Sequence, residues 1–249
     1  MDIQAYLDRI GYTGSREVNR ENLAAMIRCH LETVPFENLD CWPVGKPLSN
    51  DPEVLFEKIG VRRRGGICFE LNGLLYGLLR ELGYDCHSVA ARLPRPDRES
   101  PICHQGVVVT LEGKQYYCDV GFGGPGPKGA LPLDEEPVQT VDGAAFRVSR
   151  CGLSVCIERE SRGTWVETIR YMDVPCIWQD FTGLLYYFSM NPKSYFVSQR
   201  IVNLCLPEGG SLALTDDRFT ARRAGAVEVR EVASEEAEDI LRREFGIVL

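Results

Sequence analysis

Hydrophobic residues change their spacing along this chain near Gly83. Before it, Leu71, Leu74, Leu75, Leu78, Leu79 and Leu82 fall at three- and four-residue steps, which predicts an amphipathic helix whose apolar stripe needs a core to pack against. Gly65 and Gly66 interrupt the pattern upstream and Gly83 follows the last leucine, so the helix is predicted to start near Cys68. A second helix runs from Asn19 through Leu31, with Leu23, Ile27 and Leu31 on one side and Asn19 or Asn22 as its cap. A third starts at Asn50 or Asp51 with Pro52 and carries Val54, Leu55, Phe56 and Ile59. Between the second and third, Pro35 disfavours helical geometry in the residue before it, so Phe36, Glu37 and Asn38 are expected on a loop. Phe36 there either plugs the space beneath the loop or walls a ligand pocket.

After Gly83 the period becomes two. His87 to Leu93, His104 to Leu111, Gln115 to Phe122, Ala145 to Val148, Leu153 to Arg159 and Thr164 to Ile169 read as short strands between Gly, Pro or Asp turns, which a small antiparallel sheet or barrel satisfies best. The chain closes with a strand-like Tyr195 to Leu206, a hairpin around Gly209 and Gly210, and an acidic helix from Ser234 to Phe245. Glu235 and Glu236 suit the first turn of that helix.

Composition narrows the partners. With 249 residues and 44% hydrophobic content, the chain can bury a substantial core in one large domain or two or three small ones. A net charge of -8 without a basic run argues against nucleic acid or an anionic membrane as the main partner, and an anionic substrate would need local positive charge. Met1 to Tyr6 lacks a basic and an apolar leader region, and no stretch approaches the roughly 18 apolar residues of a spanning helix. A cytoplasmic protein is expected, in which the 10 cysteines are reduced thiols rather than a disulfide framework.

Cys68 stands out among them. In the first turn of its helix, unpaired backbone N–H groups and the positive end of the helix dipole favour thiolate over thiol, although a cysteine is most often a small buried hydrophobe. If Glu112-Gly113 makes a two-residue turn, facing residues sum to 225, so His104 faces Gly121 and Asp119 faces Gly106. His104 and Asp119 are then diagonal neighbours on one face, about 7–8 Å apart at the backbone, with glycines leaving room around them. A cysteine, a histidine to deprotonate it and a carboxylate to orient the histidine make a nucleophilic triad. The alternative leaves His104 bonded to a backbone carbonyl and Asp119 as a turn residue. Of the 3 histidines, His30 and His87 read as exposed or structural.

Other motifs weigh less. Cys151 and Cys156 lie five apart in a strand-like segment and point to opposite faces, while Cys103-His104 and Cys118-Asp119 diverge as neighbours, so no metal site is expected. Gly121-Phe122-Gly123-Gly124-Pro125-Gly126 matches a dinucleotide pattern in letters, but Pro125 and Pro127 prevent the helix that should follow. Lys128-Gly129 is not a Walker ending either. The loop either offers backbone N–H groups to a phosphate or a ligand chain, or is a flexible turn.

Taken together, Arg64-Gly65-Gly66-Ile67-Cys68-Phe69-Glu70-Leu71-Asn72, Pro35-Phe36-Glu37-Asn38-Leu39, the His104 strand and Asp119-Val120-Gly121-Phe122-Gly123 resemble the arylamine N-acetyltransferases. The resemblance is strong over the first half and fainter through Asn191 to Asn203, where it rests on Ser194, Phe196 and the strand after them. It implies an α+β fold: a helical bundle over 1–84, a central antiparallel β-barrel over 85–186 and an α/β lid over 187–249, with a cysteine-protease-like core. It also implies ping-pong transfer of an acetyl group from acetyl-CoA through an acetyl-cysteine to an aromatic amine or hydrazine, an activity of xenobiotic metabolism. Cys68 would be the nucleophile, His104 the base and Asp119 its orienter. Phe36, Phe122 and Phe196 would line the acceptor pocket, and Gly123, Gly124 and Gly126 would lie near the pantetheine or pyrophosphate of CoA. Pro125, Pro127 and a short C-terminus depart from the family pattern. An amide synthase or a cysteine hydrolase would use the same three residues.

Overall fold

A computed structural model describes residues 1–95, 99–133, 137–223 and 225–249, with Glu208 as backbone alone. The first region contains α1 (Ile3–Arg9), α2 (Arg20–Thr33), β1 (Phe36–Glu37), α3 (Pro52–Leu55) and α4 (Cys68–Glu81). The caps are those the sequence offers: Asn19 Oδ1 accepts the Asn22 N–H at 2.8 Å, and Asp51 Oδ1 accepts the Glu53 N–H at 2.9 Å with Pro52 in the first turn. From Phe56 to Val61 the third helix widens into π geometry, which turns Lys58 into the interior. Pro35 does break the helix, but Phe36 and Glu37 form a short strand instead of a loop, because both pair with the C-terminal sheet.

Strands β2 (Asp85–Arg92), β3 (His104–Leu111), β4 (Lys114–Cys118), β5 (Leu131–Pro132), β6 (Gln139–Val141), β7 (Ala144–Cys151), β8 (Ser154–Ser161) and β9 (Thr164–Met172) follow. They form one antiparallel sheet in the order β5-β4-β3-β2-β9-β8-β7-β6, nearly closed into a barrel as β5 meets β6. The β3–β4 register pairs Val107 with Cys118 and Thr110 with Gln115, and Glu112 and Gly113 turn with φ of 51° and 78°. The alternation expected of that hairpin therefore holds, but its ladder stops at Cys118 rather than Phe122. Val107, Val109 and Tyr116 face outward onto the leucine stripe of α4, while Val108 and Tyr117 fill the barrel. Burying each of those leucines contributes about 1.5–3 kcal/mol, so α4 is fixed along its length.

Beyond the barrel come α5 (Thr182–Met190), α6 (Tyr195–Ser198), β10 (Ile201–Cys205), β11 (Ser211–Thr215), β12 (Arg218–Arg223), β13 (Ala226–Glu231) and α7 (Ser234–Phe245). The stretch Tyr195 to Leu206 is thus not one strand: Ser194 Oγ accepts the Phe196 N–H at 3.2 Å and starts a helical turn before β10. Strand order β1-β10-β11-β12-β13 makes a second antiparallel sheet, packed under α7 through Leu212, Leu214, Phe219, Ile240, Leu241 and Phe245. Asn38 links this sheet to the first region, donating to the carbonyls of Phe196 and Gln199 at 2.7 Å each and accepting the Ile201 N–H at 2.7 Å. No helix among the described residues is long and apolar enough to cross a membrane.

Candidate active site

The N-terminus of α4 lies against the end of the β3–β4 hairpin, and glycine makes that approach feasible. A Cβ on Gly121 would sit 2.7 Å from the Cys68 Cα and one on Gly65 would sit 1.9 Å from the Pro35 carbonyl oxygen, so neither position tolerates a side chain. Glu70 accepts the Ile67 N–H at 3.0 Å, satisfying one of the free donors at the start of the helix. Its other oxygen meets Lys58 Nζ at 2.8 Å, and Lys58 reaches Asp40 at 2.9 Å. Arg64 completes the cluster, bound to Glu37 at 2.9 Å and Asp40 at 3.2 Å. Five charged side chains thereby hold the backbone on both sides of Cys68, and burial raises the Glu70 carboxyl despite the Lys58 ammonium beside it.

Cys68, His104 and Asp119 come together, all three nearly inaccessible at 3%, 1% and 1% exposure. His104 Nε2 and Asp119 Oδ2 are 2.6 Å apart, and Cys68, whose sulfur lies 3.7 Å from the Cys103 carbonyl oxygen, bears on the same imidazole by charge and hydrogen bond, which leaves Nδ1 as the nitrogen for the thiol. Burial would lower the imidazole, but the charges of Asp119 and Cys68 outweigh it and hold His104 well above its ordinary range. Burial likewise pushes the Asp119 carboxyl up; the His104 cation, the Asn72 amide and the Gly121 N–H together bring it below the usual range. Sequence reading gave Asn72 no role. It stands one turn after Cys68 and donates to Asp119 Oδ1 at 2.8 Å and to the Gln105 carbonyl at 2.6 Å, while accepting the Val120 N–H at 2.8 Å. These bonds, with Gly121 N–H on Asp119 Oδ1 at 2.9 Å, draw the backbone out of the ladder and explain where β4 ends.

Aromatic rings surround the triad. Phe122 meets His104 edge-on at 5.9 Å, Phe36 lies 5.9 Å from Phe196, and Phe188 lies 5.7 Å from Phe196. A cleft of about 620 Å³ opens beside them, lined by Phe36, Phe122, Asp119 and the whole run from Gly123 to Lys128. Phe196 is not on its wall; it is buried with Cys68, Phe69 and Phe181. Arg159 and Arg222 also line the cleft, and the buried Arg159 Nε has no hydrogen-bond partner among the described residues. These cations were not legible as a group, since they come from separate strands. Cys151 and Cys156 occupy adjacent strands of the β7–β8 hairpin, opposite Ser154 and Ser149, rather than one strand. Among the described residues no group of three or more His, Cys, Asp or Glu could hold a metal ion.

A sequence model of a family described as N-acetyltransferase matches residues 19–249. The chain is 32% identical to an arylamine N-acetyltransferase of Escherichia coli K12, over 97% of this chain and 87% of that one. Its fold resembles the solved arylamine N-acetyltransferase of M. tuberculosis with a TM-score of 0.90 at 32% identity, covering 99% of this chain and 94% of that one. A Mycobacterium marinum arylamine N-acetyltransferase solved in complex with CoA matches with a TM-score of 0.88 at 28% identity, over 99% and 93%.

Proposed function

Since this chain belongs to the arylamine N-acetyltransferase family, we propose that it moves an acetyl group from acetyl-CoA to an aromatic amine or hydrazine through Cys68. The observation that carries this reading is the buried Cys68–His104–Asp119 arrangement, which adjoins the cleft through Asp119 and through Phe122, the ring edge-on to His104. In the first half-reaction the Cys68 thiolate, paired with the His104 imidazolium, attacks the thioester carbonyl; the carbon–sulfur bond to CoA breaks and the proton on Nδ1 goes to the leaving thiolate. In the second, the amine nitrogen attacks the acetyl-cysteine, Nδ1 takes its proton, and Cys68 leaves as thiolate. A thioester is already activated, so the protein chiefly supplies a thiolate and a water-poor pocket.

Phe36 and Phe122 form the aromatic wall for the acceptor, and Phe196 backs Phe36 from the buried side. The pantetheine and phosphates of CoA run along Gly123, Gly124 and Gly126, where Lys128, Arg159 and Arg222 give an acidic protein the local positive charge that an anionic substrate needs. The three regions 1–84, 85–186 and 187–249 act as nucleophile-bearing, base-bearing and covering parts. All 10 cysteines stand as free thiols, which suits a reducing cytoplasm.

Mass spectrometry after mixing with acetyl-CoA tests the reading. Without amine, a gain of one acetyl group on the Cys68 peptide and release of CoA are expected; adding an arylamine discharges it. Cys68→Ala abolishes both, and substantial turnover in that variant removes Cys68 from its role.

A further inference from the structure

Asp119 lies in a place that water does not reach, and four donors take its place. Asn72 and the Gly121 N–H bind Oδ1, whereas Oδ2 receives both His104 Nε2 at 2.6 Å and the Tyr117 hydroxyl at 3.0 Å. Resting on the catalytic reading above, we propose that Tyr117 is a positioning residue: by sharing the carboxylate oxygen that His104 uses, its hydroxyl limits how tightly Asp119 holds the imidazolium and keeps that proton transferable.

The barrel is shaped around this bond. Tyr117 is fully buried inside it, its ring stacked on Tyr171 at 5.5 Å and 28°, with Val108 as its cross-strand partner. A Cβ on Gly106 would lie 2.4 Å from the Tyr117 hydroxyl oxygen, so β3 carries glycine where that hydroxyl passes on its way to Asp119. Tyr117 lies on β4 and Asp119 just past its last residue, Cys118, two positions on, so the hydroxyl reaches the carboxylate within one short stretch of chain.

The chemistry runs in one direction. Burial, and then the Asp119 charge, hold the phenol neutral, so toward the carboxylate, which can only accept, it is the donor. A donor on a carboxylate draws charge from it and weakens its grip on a second donor, whereas a carboxylate with fewer donors binds its remaining cation harder. The charged and titratable groups facing this arrangement are few. Asp119 faces His104, Tyr117 and Cys118; the imidazole faces Asp119, Cys68 and Cys103; the phenol faces Asp119, Tyr171 and, more weakly, Cys68. With Asp119 at 1% exposure, a lost hydroxyl is not replaced by solvent at no cost.

Tyr117→Phe tests this, read by the pH dependence of acetyl transfer and of Cys68 alkylation by iodoacetamide, which needs neither CoA nor amine. The expected result is a fall in kcat of about tenfold with KM for acetyl-CoA unchanged, together with an upward move of the alkaline limb in both profiles. Tyr171→Leu, which removes the stacking ring and leaves the hydroxyl, should lower Tm without moving that limb. If Tyr117→Phe does not fold, 3-fluorotyrosine introduced at position 117 is a stronger donor of nearly equal shape and should move the limb down. An unmoved limb in whichever position-117 variant folds overturns the proposal, even if rate and stability fall. A wild-type enzyme that forms no acetyl-Cys68 would overturn the catalytic reading instead, so the two failures are distinct.

Discussion

Two histidines of this protein are buried to the same degree and differ in almost everything else. His30, on α2, meets the Tyr6 hydroxyl at 2.5 Å through Nδ1, and its Nε2 has no hydrogen-bond partner among the described residues. Burial, with Arg9 nearby, lowers it to about 3, so it is neutral at physiological pH. His104, equally enclosed, is driven the opposite way because a carboxylate stands where His30 has a phenol. Burial alone therefore makes an inert histidine; a buried countercharge makes one that holds a proton. The triad depends first on that difference of partner, with the Cys68 charge adding to it and Arg9 working against His30, and the Lys58, Glu70, Asp40, Arg64 and Glu37 cluster holds the sulfur where the difference can be used.

Removing the countercharge should break the contrast most severely. Asp119→Asn gives His104 a neutral partner, as His30 has, and transfer should fall by roughly 10³- to 10⁴-fold while the chain stays folded, measured as CoA release beside a thermal melt. A loss of less than tenfold would mean that the carboxylate is not what charges the imidazole. Changing the partner of the other histidine should leave the chemistry alone: Tyr6→Phe is expected to cost about 1–3 kcal/mol in urea denaturation with the pH–rate profile unmoved.

The smallest effect concerns pH and separates the two by sign. A group depressed in the folded state contributes stability above its unfolded value of 6.5 and loses it as pH falls, so His30 should remove about 2 kcal/mol between pH 7 and pH 5. For His104 the sign reverses: its contribution is complete below 6.5 and is lost only as pH rises through its raised folded value. His30→Gln should accordingly flatten the acid side of the stability curve, whatever its effect at pH 7. A slope from pH 7 to pH 5 equal to the wild type would show that His30 is not buried neutral.

The asymmetry between these histidines was half visible in the sequence. The period-two pattern and the Glu112-Gly113 turn set the β3–β4 register, and parity alone put His104 and Asp119 on one face. The helix starting at Cys68 was equally legible from its leucines and flanking glycines. Gly106 and Gly121 read as room around a site; they are filled, by the Tyr117 hydroxyl and by the approach of α4. That distinction needs three dimensions, because sequence shows that a side chain is missing without showing what enters the gap. Asn38 and Asn72 were quoted in the motifs but their bonding roles were invisible for a related reason: their partners lie about 160 and 33 to 48 residues away, at the junction of elements that periodicity describes only one at a time. The single turn at Tyr195–Ser198 escaped because the Ser194 cap overrides an extended-looking run of apolar residues.

Asp119 keeps His104 charged beside Cys68 at neutral pH. Nitrogen NMR of the enzyme with labelled histidine tests it directly. The expected result is an imidazolium signal for His104 that persists above pH 7, disappears in Asp119→Asn, and stands beside a His30 signal that stays neutral down to about pH 5. A His104 ring already neutral at pH 7 in the wild type would contradict it.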